Sequence, residues 1–141
     1  VGLYDIFNIS GSGMAAQSVR LNTTASNIAN ADSVASSSGE VYKARHPVFQ
    51  TVINGISANG NQAATNGGVA VAGIIESQAD AIAKYQPDNP LADEQGIVYA
   101  PNINLVEEMA NMISASRSYQ TNVQVATMTK HLLTRTLTLG Q

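Results

Sequence analysis

The side chains best suited to chemistry are few and scattered. His46 and His131 are the only histidines. Neither belongs to a His-x-x-His or His-Glu-x-x-His pattern or to a carboxylate cluster, so both read as ordinary polar residues rather than metal ligands or proton shuttles. Asp88, Asp93 and Glu94 surround a Pro- and Asn-rich turn but lack the periodic oxygen donors of a calcium loop, and read as solvated turn residues. Gly11 and Gly13 are not followed by the third glycine or the Gly-Lys-Ser/Thr of a phosphate-binding turn. The abundant serines form no Gly-x-Ser-x-Gly elbow, and Met109 and Met112 have no His or Cys beside them to hold a cofactor. Cys is absent, which excludes disulfides and thiolate metal sites. No catalytic, metal or cofactor-binding residue is expected.

Amides are the more telling polar groups. Asn22, Asn27 and Asn30 interrupt one apolar helical pattern, and Gln120, Asn122 and Gln124 interrupt another, each interleaved with small residues that allow close approach. Such amides suit hydrogen bonds between subunits of a crowded helical assembly.

The patterns carrying these amides lie at the two ends. Leu105, Met109, Met112, Ser116, Tyr119, Val123, Ala126, Lys130, Leu133 and Leu137 recur at alternating spacings of four and three, a coiled-coil-like stripe. Asn104 is placed to cap the first turn, with Glu107 and Glu108 favourably near the helix N-terminus. A helix from Leu105 to Leu139 would be about 52 Å long, too long for the rest of so small a chain to cover. Phe7, Gly11, Met14, Ser18, Leu21, Ala25 and Ile28 repeat the spacing more weakly. Gly11 and Gly13 each cost roughly 1 kcal/mol relative to Ala, so the expected helix is Met14 to Ala29, ending at Asn30.

Between the ends the period changes. Asp32 to Gly39 reads as a Ser-rich turn region, Glu40 to Ile53 as one or two short strands broken at His46-Pro47, and Val69 to Ile75 and Ile97 to Tyr99 as further strands. Asn54 to Gly68 holds four Gly and four Asn and reads as a flexible loop. The expected fold is α+β: residues 1–30 and 102–141 form a discontinuous terminal-helix assembly domain, and residues 31–101 a small β-rich middle module.

Composition agrees with a thin core. The 141 residues are 44% apolar but only 5% aromatic, with no Trp, and the apolar matter is largely Ala and Val. Net charge is −3 and the basic residues form no stripe, so nucleic acid is not an expected partner. The opening residues, with Asp5 and without a basic segment or a long apolar stretch, show no cleavable secretory signal, and no run reaches membrane-span length.

Two blocks carry a family resemblance. Leu21-Asn22-Thr23-Thr24-Ala25-Ser26-Asn27-Ile28-Ala29-Asn30-Ala31-Asp32 resembles the N-terminal signature of flagellar rod and hook proteins. Asn102 to Met109 and Ser114 to Val123 resemble the C-terminal segment of the same family. Asn89-Pro90-Leu91-Ala92-Asp93 and the terminal Leu137-Thr138-Leu139-Gly140-Gln141 favour its short proximal-rod member. The resemblance implies a structural subunit of the periplasmic drive shaft that transmits torque and forms part of the wall of an export channel. It implies as partners copies of itself, other rod proteins, membrane-ring and rod-base adaptor proteins, and the flagellar export apparatus, which would deliver it unfolded. The expected assembly interface comprises Leu21, Asn27, Ile28, Asn30, Leu105, Met109, Met112, Tyr119, Asn122, Val123, Leu133 and Leu137. The alternative is a secreted or adhesin-like binding module with a coiled-coil stalk and contacts made by the 54–68 loop.

Overall fold

The computed structural model describes residues 2–54 and 66–140. Helix α1 spans Leu3–Asn30, strands β1 (Arg45–Asn54), β2 (Asn66–Glu76), β3 (Ile82–Tyr85) and β4 (Ile97–Ala100) follow, and helix α2 spans Leu105–Leu139. The two terminal helices pack on one another, with the small β module between them in sequence, as the α+β reading expected.

Helix α1 starts eleven residues earlier than expected and runs unbroken through both glycines. The reason at Gly13 is packing: a Cβ there would lie 2.8 Å from Asn122 Nδ2 of α2, so glycine lets the two backbones approach closely enough to offset its helix penalty. At the start, Asp5 Oδ2 accepts a 2.6 Å hydrogen bond from the Gly2 N–H, and at the end the Ile28 and Asn30 carbonyls, which the last turn leaves free, accept from the N–H groups of Ala31 and Ser33. Helix α2 begins as expected, with Asn104 Oδ1 accepting from the backbone N–H groups of Val106 and Glu107.

Strands β1 and β2 form an antiparallel hairpin from Arg45↔Glu76 to Asn54↔Asn66, with an irregularity between Val48 and Phe49. Pro47 does not break β1, because a strand with a single neighbour has one free edge where a missing N–H costs little. Strand β2 begins at Asn66, so the expected loop is shorter at that end; its residues 55–65 lie outside those described. The hairpin lies against α1, and Ser12 Oγ accepts a hydrogen bond from the Val69 N–H. Strand β3, which the sequence reading missed, pairs with β4 in a second two-stranded sheet, and Ala35 bridges to Tyr99 on the other side of β4. The buried apolar residues are mostly small: Ala16, Val41, Ala44, Val98, Ala100, Ala115 and Ala126.

Candidate assembly surface

The seam between α1 and α2 is built from small and polar side chains. On α1, Ser10, Ala16, Thr23, Thr24 and Asn27 are buried; on α2, Glu108, Ala115, Ala126 and Thr129 are. Small residues at three- and four-residue spacing let helices pack closely, but bury little apolar area. Thr129 Oγ1 returns its proton to the Val125 carbonyl, so it enters the seam without an unpaired hydroxyl.

The large apolar residues of α2 lie on another face. Leu105, Met109, Tyr119, Val123 and Leu137 of the expected interface are all exposed, as are Val106 and Ile113 beside them. At about 100° per residue, Val123 lies roughly 80° around the helix from Ala115, at the centre of the seam. The apolar stripe is therefore real, but its middle points away from α1. Asn122 and Leu133, which face α1 across the seam, and Met112, at its border, are half-buried, as are Leu21, Ile28 and Asn30 on α1. At the far end of the pair, Tyr4 and Phe7 of α1 border an apolar notch with Lys130 and Leu133 of α2.

Asn27 departs from expectation. It is completely buried and its side-chain amide makes four hydrogen bonds, all within the chain. Nδ2 donates to the Arg45 carbonyl at 2.9 Å and to Glu108 Oε2 at 3.1 Å, while Oδ1 accepts from the Arg45 N–H at 2.8 Å and from the Tyr42 hydroxyl at 3.0 Å. With that hydroxyl proton committed, Ser26 Oγ is the donor in its 3.0 Å contact with Tyr42. Every donor and acceptor of the amide is used, so Asn27 has none left for a neighbouring subunit. Glu108, which the sequence assigned only to helix-end electrostatics, is its partner across the helices. A second polar tie joins Arg20 Nη2, two turns from Asn27 on α1, to Asn111 Oδ1, about one turn from Glu108 on α2, at 2.9 Å.

Nothing in this arrangement assembles a reaction centre. Among the described residues no three His, Cys, Asp or Glu side chains come together to hold a metal. A groove where α1, β1 and α2 meet contains His46, but Arg20, Thr24, Pro47, Phe49 and Asn111 complete it without a nucleophile or a carboxylate. What the molecule presents is a long antiparallel helix pair with an apolar outer face and a hairpin alongside.

Residues 7–35, most of α1, match the family model described as flagella basal body rod protein, and residues 94–139, β4 and α2, match that of the flagellar basal body rod FlgEFG protein C-terminal. Across all 141 residues, and the full length of each relative, the chain is 51% identical to the flagellar basal-body rod protein FlgC of Salmonella typhimurium and 50% identical to that of Yersinia enterocolitica. It is 38% identical, again end to end, to FlgC of the Buchnera aphidicola of Acyrthosiphon pisum.

The chain belongs to the FlgC family of flagellar basal-body rod proteins.

Both resemblances read from sequence thus lead to one family, and each falls on a terminal helix. Membership makes the chain a structural, non-catalytic rod subunit and decides against the adhesin-like alternative.

Proposed function

We propose that this rod subunit assembles by burying the outer apolar face of α2, and the exposed ends of the helix pair, against copies of itself and other rod proteins. The observation that carries the proposal is the division of α2: its inward face is small and polar, whereas Leu105, Val106, Met109, Ile113, Tyr119 and Val123 are exposed along its outer side. A contiguous exposed apolar stripe on a soluble chain marks an interaction surface. In this reading residues 1–30 and 102–141 form the assembly unit and residues 31–101 a module carried beside it.

Family membership supports a finer role. Subunits packed side by side through such helices would enclose a channel, form part of its wall and carry torque across the periplasm, with membrane-ring and rod-base adaptor proteins at one end. Export as an unfolded chain by the flagellar apparatus fits helices whose largest apolar side chains find partners only on assembly. Leu21, Ile28, Asn30, Met112, Asn122 and Leu133, all half-buried in the chain, would be shared between internal and intersubunit contacts; Asn27 would not.

The test is complementation of cells lacking the native subunit. Val123→Asp places a carboxylate where a neighbour would desolvate it. Secretion of this variant should persist while completed rods are lost, and His46→Ala should support both. Normal rod completion with Val123→Asp would overturn the assignment of this face.

A further inference from the structure

We propose that Asn27 sets the register of the helix pair and, with the same amide, the seat of the hairpin, so that helix pairing and hairpin placement occur as one event. Its Oδ1 and Nδ2 meet the N–H and carbonyl of one residue, Arg45, at 2.8 and 2.9 Å. That is the double bond pattern by which a neighbouring strand's peptide groups would hold the first residue of β1. The amide therefore acts as a single-residue strand partner, with Tyr42 closing the site from the preceding segment. The remaining Nδ2 proton points across the helix interface to Glu108, buried at 5% exposure.

Among the described residues the rest of the seam offers few directional ties. Ser10, Ala16, Ala115, Ala126 and Thr129 are short and make no hydrogen bond from one helix to the other, so they allow close packing without a polar pairing that selects a partner. Gly13 accepts Asn122 closely but supplies no side chain to attract it. Arg20, only partly buried on a long flexible stem, can follow Asn111 or turn to water. Asn27 has no such freedom: slid by a turn, it would be buried without its α2 acceptor and would leave Glu108 unpaired. A lone buried Asn fixes register in coiled coils on the same principle. Here the amide adds a third element, which makes it a positioning residue for the hairpin as well.

Because the 141 residues contain no Cys, engineered pairs report register directly. A Cβ at Gly13 would lie 3.2 Å from Asn122 Cγ, so Gly13→Cys with Asn122→Cys can form a disulfide in the observed register. Gly13→Cys paired with Ser118→Cys or with Ala126→Cys reports a one-turn slide in either direction. With Asn27 intact, only the first pair should cross-link. With Asn27→Leu, the ratio of native to shifted cross-linking should fall at least about fivefold, and the Arg45 amide should lose its protection from hydrogen exchange. Glu108→Ala removes only the interhelical half, and should loosen register while Arg45 stays protected. Retention of native-only cross-linking in both variants would overturn the proposal. Should Asn27→Leu fail to fold, native-only cross-linking in Glu108→Ala alone would overturn it, and shifted cross-linking with a protected Arg45 amide would support it.

Discussion

The two ends of the helix pair are held by different means. Near Asn27 the two helices and the base of the hairpin meet around a closed set of hydrogen bonds. At the opposite end Tyr4, Phe7, Leu137 and Leu139 are exposed, and no hydrogen bond between the helices is found among the described residues beyond Arg20–Asn111. Between these ends Gln17 Oε1 is buried without a partner. Both ends expose apolar side chains, Leu105, Val106 and Met109 at the first, but only the first has its polar seam closed by hydrogen bonds within the chain. Stability within this fold is therefore graded along the helices, as expected where local contact density differs.

The contrast can be broken most severely by Thr121→Pro, which removes a backbone donor in mid-α2 and clashes with the preceding turn, costing about 3 kcal/mol or more. Circular dichroism should show helix loss, and hydrogen exchange should confine most of that loss to the part of α2 beyond residue 117, leaving the Asn27 end protected. Equal loss at both ends would mean that they fold as one unit. Next in size is Val98→Ala, which deletes two methyl groups from a fully buried site and should cost about 2 kcal/mol in urea denaturation. Its counterpart is Leu137→Ala, which removes a larger side chain that is 73% exposed and should change monomer stability by no more than about 0.5 kcal/mol. A larger cost for Leu137→Ala would show that the far end is covered in the isolated chain. The smallest expected effect is that of Glu76→Ala: the Arg45–Glu76 pair, at 3.4 Å, has both side chains about half exposed, and its loss should cost less than about 1 kcal/mol and fade with added salt.

Helix α2 was fully legible in sequence because a capping Asn, an unbroken period and the absence of Pro or Gly agree over its whole length. The direction of its faces was not. Periodicity locates a stripe of Leu, Met, Tyr and Val, and the usual inference turns such a stripe inward. Here Ala115, Ala126, Thr129 and Glu108 point inward instead, because Gly13 and Ala16 bring α1 too close for bulky residues. Helix α1 was read too short since local propensity counts the cost of Gly13 without the contact to Asn122 that repays it. The four residues of β3 escaped notice because all are exposed, so neither alternation nor a buried run marks them. Asn27 was singled out for amide hydrogen bonding between subunits, whereas the bonds seen within the chain go to Arg45, Glu108 and Tyr42. Arg45 and Glu108 stand 18 and 81 residues away, and no local pattern connects them.

The antiparallel pairing of the first element with the last has a consequence in time. The ties between the helices, Asn27 to Glu108 and Arg20 to Asn111, close loops of 81 and 91 residues, for which the length-dependent part of the closure entropy is on the order of 4 kcal/mol. The hairpin needs only a short excursion, with Arg45 and Glu76 31 residues apart at its open end. As a chain threads out from its N-terminus, the hairpin can therefore form long before α2 has emerged, while α1 waits with half of its seam missing. Helix pairing becomes the slow, late step, timed by the arrival of the final segment rather than by any intrinsic reluctance of the helices to form.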